Sequence, residues 1–112
     1  MNAFLFVFDD THLTREQVWT RLNKLPEIGH WYSLFGNTFC LASEHSAQSL
    51  AARVREEIIP EVRFLIVEID ARKKGGWLPR EIWDFLDRPE ASSLYNHPRN
   101  EKPQREGELS RH

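Results

Sequence analysis

The segment formed by residues 4–8 constrains the fold of this chain more than any other part. Its five consecutive residues are apolar, and three of them are phenylalanine. Such a run predicts a β-strand covered on both faces, because a strand with one solvated face would alternate apolar and polar side chains. Asp9 and Asp10 follow at once, so the chain leaves the predicted sheet at an acidic turn.

The two carboxylates of this turn have two interpretations. Carboxylates that lie close together repel each other unless they share a hard cation such as Mg²⁺. Asp9 and Asp10 are therefore candidate metal ligands for a metal-assisted reaction on phosphate. The alternative is structural, with the two side chains solubilising a turn and capping the next helix. On spacing alone, the structural alternative is the commoner one.

Composition predicts one small soluble domain. The chain has 112 residues, of which 40% are hydrophobic and 29% are charged, close to the averages for globular proteins. No apolar run approaches the roughly 18–20 residues that cross a bilayer, and the N-terminus lacks the basic start of a signal peptide. We therefore expect a cytoplasmic protein with no membrane partner. Cys40, the single cysteine, follows Phe39 in an apolar strand and is expected to be a buried structural thiol.

The charge balance gives only weak support to nucleic-acid binding. A formal net charge of −2 argues against the simplest DNA or RNA binder, which would be basic. Any contact with a phosphate backbone must come from local clusters, each of which could equally be solvated surface. The candidate clusters are Arg15, Arg21 and Lys24; Arg53 and Arg55; and Arg72, Lys73 and Lys74.

Periodicity and turn signals predict the element order β-α-β-β-α-β over residues 3–70. Thr14 and Gln17 form a capping box at the start of the first helix. Gly36 and Asn37 predict a tight turn between two strands, and residues 63–70 predict the last strand. This order indicates an α+β fold, a ferredoxin-like sandwich with a four-stranded antiparallel sheet, over residues 1–87.

The predicted sheet leaves one face uncovered. In a ferredoxin-like arrangement both helices pack on the same face of the sheet. The first strand is apolar on both faces, with Leu5 and Val7 on one and Phe4, Phe6 and Phe8 on the other, and the last strand likewise has Leu65, Val67 and Ile69 against Phe64 and Ile66. The uncovered face would therefore expose a large apolar surface. We predict that a second copy covers it, giving a homodimer packed sheet against sheet around a two-fold axis.

The C-terminal part divides into two segments. Residues 77–86 predict a short amphipathic helix with Pro79 in its first turn, which seals a sheet edge or reaches a partner subunit. Residues 88–112 contain three prolines and few large apolar residues, and they predict a disordered tail.

Three segments resemble a known family. They are residues 6–9, a first strand ending in aromatic-Asp; residues 32–39, with a serine in the second strand; and residues 65–69, the last strand. In these segments the chain resembles the CRISPR-associated protein two family and the related VapD-type ribonucleases and SinR-like proteins. The resemblance covers about residues 3–86. Where the CRISPR members have a fifth strand, this chain has Gly75-Gly76-Trp77 and a predicted helix, which is more similar to the SinR-like proteins.

The resemblance implies a homodimer in which first-strand aspartates face each other across the axis. In active family members this pair holds one divalent metal, here expected to be Mg²⁺, and activates water against a phosphodiester. The aspartate corresponds to Asp9, whereas Asp10 has no counterpart. Ser33 falls at a position with a supporting catalytic role. Contacts with the sugar–phosphate backbone would fall near Arg15 and Arg21.

Two functions are therefore expected from the sequence. The first is metal-dependent endonuclease activity on RNA or DNA, in which each subunit supplies half of the site. The second is a catalytically silent ferredoxin-like dimer that acts as a protein-interaction module, with partners docking on Trp77, Trp83 or the proline-rich tail. The separation of the two Asp9 carboxylates across the dimer axis would distinguish them.

Overall fold

A computed structural model describes residues 1–57, 62–91 and 109–111. Four strands form one antiparallel sheet in the order β2-β3-β1-β4. The first six elements are β1 (Asn2–Phe8), α1 (Arg15–Leu22), β2 (His30–Phe35), β3 (Thr38–Ser43), α2 (Ala47–Glu57) and β4 (Phe64–Glu68). The predicted α+β fold with a four-stranded antiparallel sheet is confirmed, and its element order is roughly ferredoxin-like.

The C-terminal segment contains a strand as well as the predicted helix. β5 (Trp77–Pro79) precedes α3 (Arg80–Asp87), and β6 (Leu109–Arg111) pairs antiparallel with β5. Pro79 is thus the residue before the helix, with an extended ψ of 148°, and not part of its first turn. Most of the predicted disordered tail lies outside the described residues. None of the described helices is long and apolar enough to cross a membrane.

Local signals in the sequence explain where two of the elements begin and end. The Thr14 hydroxyl accepts a hydrogen bond from the Gln17 N–H at 3.1 Å, and the Gln17 side chain accepts one from the Thr14 N–H at 2.9 Å. The predicted capping box at the start of α1 is therefore confirmed. Gly36 and Asn37 join β2 to β3 as predicted, although neither has a positive φ.

The first face of the sheet is closed by α1 and α2 over an aromatic core. Phe4, Phe6 and Phe8 alternate along β1 and point to this face, where all three are buried. The Phe6 ring lies 6.2 Å from the Phe39 ring and 5.8 Å from the Phe64 ring. These spacings are typical of aromatic pairs that stabilise a core beyond the area they bury.

The second face is covered over only part of its area. α3 packs its four buried side chains against the second face of the sheet, which corrects the expectation that this helix seals an edge. The α3 residues are Ile82, Trp83, Phe85 and Leu86, and the sheet residues beneath them include Ala3, Cys40 and Ala42. Beyond α3 a strip formed by Val7, Leu65 and Val67 stays open, with Leu65 60% and Val67 44% exposed.

Candidate functional site

Asp9 lies at the end of β1, beside the start of β4. Its N–H donates a 2.9 Å hydrogen bond to the carbonyl of Arg63, which continues the pairing of the two strands by one residue. Side chains alternate between the faces of a strand, so Asp9 shares the second face with Val7. Val7 lies opposite Leu65 in the register of the sheet. Asp9 therefore adjoins the open strip.

The Asp9 carboxylate is held by its own turn. Its Oδ1 accepts hydrogen bonds from the Thr11 N–H at 3.0 Å and from the Thr11 hydroxyl at 2.5 Å. Its Oδ2 lies 4.0 Å from Nη2 of Arg63, and the side chain is 39% exposed. The Thr11 hydroxyl, then the Thr11 N–H, hold the pKa of Asp9 below its ordinary value of 3.8 against the opposing effect of desolvation, with a smaller contribution from Arg63. Asp9 is thus ionised at neutral pH.

This geometry agrees with one half of the structural interpretation of the acidic turn and corrects the other half. Asp9 does stabilise a turn, because its side chain accepts from the backbone two residues later. It does not cap the following helix, since Thr14 occupies the cap of α1. Oδ1 of Asp9 therefore stabilises the turn, while Oδ2 faces the exposed guanidinium of Arg63.

One subunit does not offer a complete metal site within its described residues. Asp10 is exposed and forms no hydrogen bond or ion pair with any residue the structure describes. Across residues 1–57, 62–91 and 109–111, no three His, Cys, Asp or Glu side chains converge as metal ligands. Mg²⁺ needs an octahedral set of oxygen ligands, several of which can be water. Within the described residues, Asp9 could therefore supply only part of such a set.

Ser33 lies away from Asp9, on the other face of the sheet. It is opposite Phe39 in the register of β2 and β3, and Phe39 is in turn opposite Phe6. Directly opposed residues share a face, so Ser33 belongs to the face that α1 and α2 cover. Its exposed fraction is only 8%. The structure does not bring Ser33 and Asp9 together in one chain.

Arg63 is a basic residue beside Asp9 that sequence reasoning did not single out. Arg15 and Arg21 are on α1, the helix that packs on the first face, and both are partly buried. Arg63 is 94% exposed and lies beside the carboxylate. The predicted fold did contain a signal for this contact. In a ferredoxin-like sheet the start of β4 pairs with the end of β1, which places Arg63 next to Asp9.

A groove between α2 and β4 is a second feature that sequence reasoning missed. Its volume is about 1060 Å³. The floor includes the small side chains of Ala47 and Ala51 together with Phe64 and Ile66, and Arg55 also lines it. The groove runs along the outer edge of the sheet, because β4 is the last strand in the strand order.

Comparison of the chain with protein-family models, with curated proteins and with solved structures finds no match. The resemblance to the CRISPR-associated protein two family therefore still depends on the three short segments described above. Function has to be argued from the geometry of the site.

Proposed function

We propose that this chain is a homodimeric, Mg²⁺-dependent endonuclease that hydrolyses phosphodiester bonds of RNA or DNA. The observation that carries the proposal is the position of the open strip. α3 covers the part of the second face that contains Ala3 and leaves open the part next to Asp9. A second copy packed on Val7, Leu65 and Val67 would bury this apolar surface and bring two Asp9 residues towards one axis.

The electrostatics of Asp9 support a shared site. Its lowered pKa keeps the carboxylate charged, so two such groups near one axis would repel each other unless a cation lay between them. Mg²⁺ bound there would supply charge neutralisation and a bound water of lowered pKa. Thr11 orients the carboxylate through Oδ1, and a metal would bind Oδ2 in place of its 4.0 Å contact with Arg63.

Arg63 is the residue of this chain that we expect to bind the substrate phosphate. Its guanidinium is exposed and lies 4.0 Å from Asp9. A planar guanidinium binds phosphate oxygens in a bidentate manner, which would hold the phosphodiester beside the metal. Arg15 and Arg21 extend from α1 on the other side of the sheet and could contact only more distant parts of the nucleic acid. The buried Ser33 has no access to substrate.

Isothermal titration of Mg²⁺ and Mn²⁺ into the protein tests the site. We expect about one metal per dimer in the wild type, because two Asp9 carboxylates share it. Asp9→Asn should abolish this binding while preserving the side-chain volume. Asp84→Asn is the matched control, since Asp84 is an exposed aspartate on α3, and it should bind metal as the wild type does.

Cleavage assays then test the activity that the metal would support. Fluorescent single-stranded RNA and DNA should be cleaved in the presence of Mg²⁺, with a loss of at least 100-fold for Asp9→Asn and a raised KM for Arg63→Ala. Cleavage that persists in Asp9→Asn, or no metal binding up to millimolar concentrations, would contradict the proposal.

A second candidate function, a protein-interaction module, is favoured by Trp77. This residue of β5 is 63% exposed, as a binding anchor should be. The other predicted anchor, Trp83, is buried against the second face of the sheet and cannot dock a partner. A dimer that binds no metal, with Asp9 serving only its turn, is the result that would favour this function over hydrolysis.

A further inference from the structure

β4 is an edge strand, and the backbone groups on its inner side form hydrogen bonds with β1. The Arg63 carbonyl accepts from the Asp9 N–H, and the Ile69 N–H donates to the Ala3 carbonyl, both at 2.9 Å. In an antiparallel strand the N–H and C=O of one residue point to the same side, and this side alternates along the strand. The odd-numbered residues of this segment therefore bond to β1.

The even-numbered residues Phe64, Ile66 and Glu68 accordingly direct their N–H and C=O groups outwards. No other described strand pairs with this edge, because β4 is terminal in the sheet order. Natural edge strands are usually protected by central charges, prolines or bulges. This one has none of them at its centre, where Leu65, Ile66 and Val67 follow one another. The edge is therefore competent to pair with another strand.

The charges at the two ends of β4 indicate which strand fits. Arg63 precedes the apolar centre and is exposed, and Glu68 closes the strand and is also exposed. A complementary antiparallel strand would be acidic where β4 is basic and basic where β4 is acidic. A second copy of β4 brings its acidic end to the basic end of the first, because antiparallel pairing reverses its direction.

We propose that two copies of this chain pair antiparallel through their β4 edges, centred on Ile66, and form one continuous eight-stranded sheet. In this register Ile66 lies opposite Ile66 of the second copy, and Phe64 lies opposite Glu68. The outward groups of these residues make about six hydrogen bonds between the copies. Leu65 lies opposite Val67, so the exposed apolar side chains of both copies become cross-strand neighbours.

The groove beside β4 adds an ion pair to this contact. Glu68 shares a face with Phe64 and Ile66, which line the groove together with Arg55. Glu68 of the second copy, lying opposite Phe64, therefore enters the groove near Arg55. Among the described residues Arg55 forms no ion pair, and neither does Glu68. In the contact, the positive charge of Arg55 in one copy would pair with the negative charge of Glu68 in the other.

This contact differs from the dimer of the proposed nuclease site. It is formed by main-chain groups on the outer edge of β4, whereas the shared-metal dimer would bury the side chains of Val7, Leu65 and Val67 on the second face. Asp9 pairs with Arg63 at one end of β4, so the edge contact places the two Asp9 residues on opposite sides of its axis. The edge contact alone gives a dimer.

Cysteine cross-linking tests the register directly. Leu65 and Val67 face each other as a non-hydrogen-bonded pair, whose side chains approach closely enough for a disulfide. Under mild oxidation, a mixture of Leu65→Cys and Val67→Cys chains should give a disulfide-linked heterodimer, while each variant alone stays largely unlinked. Cys40 does not interfere, because burial raises the pKa of its thiol to about 12. Equal cross-linking in all three samples, or none in any, would overturn the proposed register.

Charge reversal tests the ion pair without relying on cross-linking. Glu68→Arg and Arg55→Glu should each weaken the edge contact at least tenfold in Kd, and the double variant should restore it to within about threefold. Glu44→Arg is the control, because Glu44 is equally exposed but lies in the loop between β3 and α2. Light scattering coupled to size exclusion measures the masses. The proposal fails if the single variants associate as the wild type does or if the double variant is not restored.

These tests separate the two proposals. Loss of metal binding in Asp9→Asn with the Leu65–Val67 cross-link intact would leave the edge contact standing. A cross-link that fails while one metal still binds per dimer would overturn the edge contact alone.

Discussion

The two faces of the sheet bury their apolar side chains in different ways. On the first face, two helices close over large aromatic side chains, among them Phe6 and Phe39, which are fully buried. On the second face, one helix of eight residues places large side chains such as Trp83 and Phe85 over small ones such as Ala3 and Ala42. On the second face, then, large side chains of the helix cover several small residues of the sheet.

This difference separates the part of the sheet that stabilises the fold from the part that is available to bind other molecules. Beneath α1 and α2 the first face is filled by interlocking aromatic rings, and it opens at the groove between α2 and β4. The second face is covered by a helix that is too short to reach across the sheet, and an apolar strip beside Asp9 stays open. We infer that the first face supplies most of the folding free energy and that the second face, together with the β4 edge, carries the interactions with other molecules.

Phe6→Ala should have the largest effect on folding. Phe6 is fully buried and its ring packs near those of Phe8, Phe39 and Phe64. Truncating it removes about 3–5 kcal/mol from the free energy of unfolding, through lost burial and the cavity left behind. Urea denaturation followed by circular dichroism measures the change. Leu65→Ala on the open strip, compared at a concentration at which the protein is monomeric, is the matched comparison and should cost about 0.5 kcal/mol or less. Similar losses for the two variants would contradict the contrast between the faces.

Phe85→Ala should produce a smaller but more local change. Phe85 anchors α3 to the second face, and its loss should cost about 3 kcal/mol, the lower end for this substitution. Because Cys40 is buried beneath α3, its thiol reports whether the helix detaches. Reaction with Ellman's reagent should be slow in the wild type and much faster in Phe85→Ala under conditions where the sheet stays folded. Phe6→Ala, by contrast, should expose Cys40 only when the whole domain unfolds.

Thr14→Ala tests how much the capping box of α1 contributes to the stability of the first face. The substitution removes one half of the capping box of α1 and should cost about 1 kcal/mol. Thr20→Ala in the same helix is the matched control. Its hydroxyl bonds the Glu16 carbonyl one turn earlier, and replacing it should cost less, because alanine is the better helix former. Equal losses in urea denaturation would show that the cap contributes nothing specific.

The first face was largely predictable from the sequence, whereas the second was not. Alternation along β1, the capping box at Thr14 and the turn at Gly36 each specify local structure, and together they give the sheet and its two helices. The position of α3 depends on tertiary packing, because an amphipathic stripe shows that a helix is buried but not against which surface. The strand at Trp77 was missed for the same reason, since its partner β6 is more than 25 residues away.

The candidate site was predictable only in part. Asp9 follows β1 wherever the sheet is placed, so its position at the strand end could be read from the sequence. The face of Ser33 depends on the register of the β2–β3 hairpin, which shifts between Ser33 and Phe35. The approach of Arg63 to Asp9 requires the pairing of β1 with β4, a contact between distant parts of the chain.

The smallest expected effect concerns the titration of Asp9, and it bears on the second face alone. Hydrogen bonds from Thr11 lower the pKa of this carboxyl in the folded state. A group whose pKa is depressed by folding contributes stability above its unfolded pKa, near 3.8, and that contribution disappears as the pH falls through the folded value. Thr11→Val removes the hydroxyl hydrogen bond and should raise the pKa of Asp9 towards 3.8. Carbon-detected NMR titration of the carboxyl groups measures the shift, and an unchanged pKa would show that the Thr11 hydroxyl does not hold Asp9 in solution. The aromatic core of the first face should be indifferent to this change, so the unfolding free energy at neutral pH should fall only slightly.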